Sequence, residues 1–110
     1  MKNHTEEFNR IKRNFSEIRA YNKGSGVDVN KFANLFLFEI VNINIQYQTF
    51  GKCLLNIDEL ITVRNMINRV IGNRNINKDL RVKINKENLD FNEMIEVLRI
   101  SFRAEDNLNK

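Results

Sequence analysis

Phe36-Leu37-Phe38-Glu39-Ile40-Val41-Asn42-Ile43-Asn44-Ile45-Gln46-Tyr47-Gln48-Thr49-Phe50 is the stretch on which the fold turns. Phe36, Phe38 and Ile40 alternate with other residues. Val41, Ile43, Ile45 and Tyr47 then alternate in the opposite phase against Asn42, Asn44, Gln46 and Gln48. Successive side chains of a strand point to opposite faces, so this period predicts a strand, and the change of phase predicts a bulge. Thr49 to Lys52 can turn the chain, and Cys53-Leu54-Leu55 can return it, which makes a hairpin of about 36–55. A rival reading uses the same residues: Phe32, Phe36, Ile40, Ile43, Tyr47 and Phe50 also fit helical spacing, as one long helix. Asparagines interleaved with β-branched residues make a poor helix interior, and on that ground the strands are preferred.

Upstream, a helix is expected over about 5–21. Thr5 can cap it, Glu6 and Glu7 suit its first turn, and Phe8, Ile11, Phe15 and Ile18 form one apolar seam. Lys23-Gly24-Ser25-Gly26 breaks it, and Asp28 could cap a short helix carrying Phe32, Leu35 and Phe36. Downstream, Asn56-Ile57-Asp58-Glu59 is a capping-box pattern. It opens a helix of about 57–71, with Leu60, Val63, Ile67, Val70 and Ile71 on one face and Gly72 as its stop. Leu80, Val82 and Ile84 alternate with Asp79, Arg81 and Lys83, the pattern of a strand (about 79–85) with one wet face. Asn85 to Asn88 reads as a turn. Asp90-Phe91-Asn92-Glu93 starts a last helix of about 91–103 along Phe91, Met94, Ile95, Leu98 and Phe102. The expected fold is therefore α+β, a small antiparallel sheet covered by helices, with an all-α helical bundle as the alternative. Residues 1–110 read as a single domain with frayed termini.

Composition narrows the class. With 42% hydrophobic residues the chain has enough apolar side chain for a modest core. The longest apolar run, Leu35 to Phe38, stops at Glu39, far short of a bilayer span, and the N-terminus lacks the apolar segment of a signal peptide. A lone Cys53 allows no disulfide framework, so a cytoplasmic location is expected. Abundant Asn and Ile with no proline suggest an A/T-rich gene, as in low-GC bacteria, phages and mobile elements.

No catalytic constellation stands out. The single histidine, His4, lies beside the N-terminus, and no phosphate-loop, dinucleotide, zinc-protease or nucleophile-elbow motif occurs. Glu6/Glu7, Asp58/Glu59 and Asp90/Glu93/Glu96 could each approach a metal, but helix capping already accounts for most of them. The expectation is a non-enzyme that needs no cofactor and no metal.

Charge is the most informative feature. Between Arg64 and Lys86, seven basic residues (Arg64, Arg69, Arg74, Lys78, Arg81, Lys83 and Lys86) face one acid, Asp79. Arg10 to Lys23 is also basic, while the chain from Glu87 onward is acidic. The seven are the expected partner-binding residues, with Arg81 and Lys83 sharing the wet face of the strand. A basic surface steers acidic proteins or phosphates toward it. The expected role is a protein-binding module, most concretely a small inhibitor or immunity protein docking on an acidic surface of a toxin or nuclease, or a phage anti-defence protein. A nucleic-acid-binding regulator of a mobile element is the alternative. Nucleic acid is otherwise expected to bind weakly and without specificity, and no membrane is implied.

Overall fold

The computed structural model describes the backbone of residues 4–108 and the side chains of residues 6–100. The described residues form four helices: α1 (His4–Arg19), α2 (Val29–Phe50), α3 (Ile57–Ile71) and α4 (Lys78–Leu108). Among the described residues there is no strand. The α+β expectation is overturned, and the helical-bundle alternative describes the fold.

The reason is visible in α2. Asp28 Oδ1 accepts the backbone N–H of Lys31 at 3.1 Å, which starts the helix. The helix then runs through the expected hairpin to Gly51, which closes it in the left-handed region (φ 73°) with its N–H donating to Tyr47 O at 2.7 Å. The period-2 pattern arises because α2 carries apolar residues on two opposite faces. Phe36, Ile40 and Ile43 are buried, while Phe38 and Ile45 are 62% and 52% exposed on the far side. Asn44 is admitted to the buried face because its amide donates to Glu87, at 3.1 Å to the backbone O and 2.9 Å to Oε2.

The second expected strand fails for the same reason. Leu80 and Ile84 are one turn apart and buried, whereas Val82 between them is 58% exposed. From Lys78 the chain continues as one helix through the expected turn at 85–88, past Asp90, and through the expected helix of 91–103. Near the N-terminus α1 begins at His4 rather than at a Thr5 cap and ends at Arg19. The side chains of His4, Thr5 and Phe102 lie outside the described residues. The helix of 57–71 is as expected, with both halves of the Asn56/Glu59 capping box formed at 3.0 and 2.9 Å.

The helices form a four-sided ring in which α1 packs on α2 and α3, and α4 packs on α2 and α3. Short connections make α1/α2 and α3/α4 antiparallel pairs. Contacts near matching ends show α2 and α4 running in the same direction: the N–H of Asn77 donates to Asn30 Oδ1 at 2.9 Å. The interior is a single apolar cluster that includes Ile11, Phe36, Ile40, Leu60, Ile67, Ile84 and Phe91. Each such side chain contributes roughly 1.5–3 kcal/mol when removed from water. No described helix is long and apolar enough to cross a membrane.

Candidate interaction surface

This topology brings separate basic segments of sequence to one end of the bundle. The 20–28 and 72–77 connections share that end, as do the last turns of α1 and α3 and the first turns of α2 and α4. Arg19, Lys23 and Lys31 come from the α1–α2 side; Arg69, Arg74, Lys78, Arg81 and Lys83 come from the α3–α4 side. Glu17, Asp28 and Asp79 are the acids in the same segments, and Asp28 already accepts the Lys31 N–H. The opposite end carries Glu6, Glu7, Asp58 and Glu59 against Lys52, so the two ends differ in charge.

The basic end is built on an ordered frame. Asn73 Oδ1 accepts the N–H of Asn75 at 2.9 Å, shaping the turn before α4. Arg81 is half-buried and donates from Nε to Ile76 O at 3.2 Å, which ties that turn to the helix. Two shallow depressions flank the start of α4. One, about 460 Å³, is lined by Asn34, Asn77, Lys78, Asp79, Leu80 and Lys83. The other, about 260 Å³, is lined by Ile71, Lys78, Arg81, Val82 and Asn85. Lys78 borders both.

The seven sequence-predicted residues do not form one stripe. Arg69, Arg74, Lys78 and Lys83 are exposed around the basic end, and Arg81 stands there half-buried. Arg64 is half-buried in the middle of α3, and Lys86 lies two turns down α4. The expectation that Arg81 and Lys83 share a strand face is corrected with the strand itself. Two residues apart on a helix they diverge by about 160°, and they border different depressions. Arg19, Lys23 and Lys31 were not among the predicted residues, although the basic balance of Arg10 to Lys23 pointed toward two of them.

Other candidate chemistry is placed as follows. Cys53 is half-buried with its Sγ 3.6 Å from Leu55 O, and burial pushes its thiol above the usual range, which disfavours the reactive thiolate. Glu59 is committed to its capping box, and Glu96 pairs with Arg99 at 3.5 Å. Asp90 and Glu93 border a groove of about 220 Å³ between α2 and α4, with Asn44, Tyr47 and Met94. Among the described residues, no group of three or more His, Cys, Asp or Glu side chains could hold a metal.

The structure also shows outward-facing apolar rows, of which Phe38, Ile45 and Val82 fall in segments expected as strands. Leu35, Phe38 and Ile45 face outward from α2, and Val82, Leu89, Val97 and Ile100 face outward from α4. The signal for those three was the period-2 alternation, which a helix with one apolar face would not have produced. Comparison with protein-family models, with curated proteins and with solved structures returns no match.

Proposed function

We propose that the protein is a non-enzymatic binding module whose basic end docks on an acidic surface of a partner protein, as a small inhibitor or immunity protein docks on a toxin or nuclease. One observation supports this reading above the others: the fold gathers basic residues from both sides of the chain at a single end. Charge concentrated in this way raises association rates through long-range steering and sets orientation on contact. The rigid turn held by Asn73 and Arg81 reduces the ordering cost of Arg74 and Lys78 on binding.

The test uses the protein encoded beside this chain, or the partner it co-purifies with, and the double variant Arg74→Glu/Lys78→Glu. Both residues are exposed, so folding should be retained. Affinity should fall at least about tenfold, mainly through the on-rate and more steeply at low salt. Unchanged affinity in the variant would sink the reading. In a gel shift at physiological salt, duplex DNA should bind no tighter than about 10⁻⁶ M. Nanomolar, sequence-selective binding there would favour a nucleic-acid regulator instead.

A further inference from the structure

Two pairs of residues stand symmetrically on the outward face of α4. Taking the point between Leu89 and Asp90 as centre, Val82 and Val97 stand at equal distances on either side, and so do Lys86 and Glu93. On a helix of 3.6 residues per turn, Asp79, Val82, Lys86, Leu89, Glu93, Val97 and Ile100 fall within about 80° of one another. That arc lies opposite the buried face of Leu80, Ile84, Phe91 and Ile95. Val82 is 58%, Leu89 66% and Ile100 64% exposed, and Lys86 and Glu93 are exposed as well.

From this pattern we infer that the outward face of α4 is a docking surface for a second copy of the same chain, laid antiparallel across a two-fold axis beside Leu89. A symmetric contact must be self-complementary, because each residue meets its counterpart across the axis. Antiparallel pairing meets that condition here. Lys86 comes opposite Glu93 of the second copy, and Glu93 opposite its Lys86. Val82 meets Val97, the two Leu89 side chains straddle the axis about 1.5 Å apart along the helices, and Ile100 comes opposite Asp79 at the edge of the contact. Parallel pairing would instead set Lys86 beside Lys86 and Glu93 beside Glu93, which is repulsive. On the side that borders α2, Lys83 and Asp79 line the depression at the start of the row, and Asp90 and Glu93 line the groove further along it.

The size of the row sets the strength. From Val82 to Ile100 it is about 27 Å long on a helix about 10–12 Å wide. One helix face of that area falls below the roughly 800 Å² per partner of a standard stable interface. The dimer is therefore weak and reversible, with dissociation on the order of micromolar or above. The inference stands apart from the proposed function, since it needs neither Arg74 nor Lys78 and no acidic partner.

Sedimentation equilibrium of the full chain, without any partner, tests it. The expected result is a reversible monomer–dimer equilibrium for the wild type and for Arg74→Glu/Lys78→Glu. Leu89→Lys should be monomeric with an unchanged helical circular dichroism spectrum, because the replaced side chain is exposed. Lys86→Glu should weaken the dimer about tenfold, and Lys86→Glu/Glu93→Lys should restore it, since the swapped pair is again complementary at unchanged net charge. A wild type that stays monomeric up to about 1 mM, far above the micromolar range, overturns the inference. So does Leu89→Lys dimerising as well as wild type, or a charge-swapped double variant no better than Lys86→Glu.

Discussion

Arg10 donates from Nε to Oε1 of Glu39 at 3.0 Å, joining α1 to α2 through a carboxylate whose side chain is only 10% exposed. The two ends of this bridge are unequal, because the Arg10 side chain retains 32% exposure. The hydrogen bond to Glu39 is the main reason the guanidinium is held above its usual pKa. Removing Arg10 would leave a buried charge without its cation, whereas removing Glu39 leaves a cation that water can reach. Arg10→Met should therefore cost more, about 3 kcal/mol, than Glu39→Gln, about 1 kcal/mol. The double change Arg10→Met/Glu39→Leu should recover most of the loss. Urea denaturation of the three variants checks the order; equal costs for the two single changes would refute it.

Asn44 holds α2 to α4 through Glu87, but its own Oδ1 is buried without a hydrogen-bond partner. Leucine, with the same branched shape, would forfeit two hydrogen bonds and relieve one buried polar atom. Asn44→Leu should change stability by less than about 1 kcal/mol, while Asn44→Ala, which also opens a cavity, should cost about 2 kcal/mol. Thermal unfolding of both variants distinguishes the two effects.

The two glycines that end helices are predicted to respond oppositely. Gly51 adopts φ 73° with open space around a Cβ, so Gly51→Ala meets only the backbone penalty of the left-handed region, about 1–2 kcal/mol. Gly72 has φ −81° and ψ −2°, and a Cβ there would sit at an ordinary 3.7 Å from Arg69 O and Asn68 O. Gly72→Ala should be neutral or stabilising by up to about 1 kcal/mol through the unfolded chain. The chemical denaturation midpoint should fall for Gly51→Ala and hold or rise for Gly72→Ala.

Cys53 should resist alkylation. Burial raises its thiol pKa in the folded state, so the thiolate is scarcer at pH 8 than in an unfolded chain. Iodoacetamide should react slowly with the native protein and rapidly after addition of denaturant. The sign for stability follows: the folded state holds the thiol proton more tightly, so this contribution is intact below the usual thiol pKa of about 8.5 and is lost as pH rises above it. Native reactivity as fast as that of a free thiol would contradict the burial.

Local signals were legible wherever a helix end closes on its own neighbours. The Asn56/Glu59 box, the Asp28 cap and the break at Lys23 to Gly26 all involve residues within four positions of one another, so their geometry follows from the chain alone. The charge balance of each segment was equally plain. Whether Phe36 to Phe50 and Leu80 to Ile84 are strand or helix was not, because alternation looks the same when a helix is apolar on two faces. Tertiary contacts decided it: Ile43, Leu80 and Ile84 found the core, Asn44 found Glu87 on a helix distant in sequence, and Phe38, Ile45 and Val82 were left facing outward. The basic surface was decided at the same level. Arg19 and Arg74 share one end of the molecule only because α1 and α3 run in the same direction within the bundle, an arrangement set by long-range packing that no local pattern encodes.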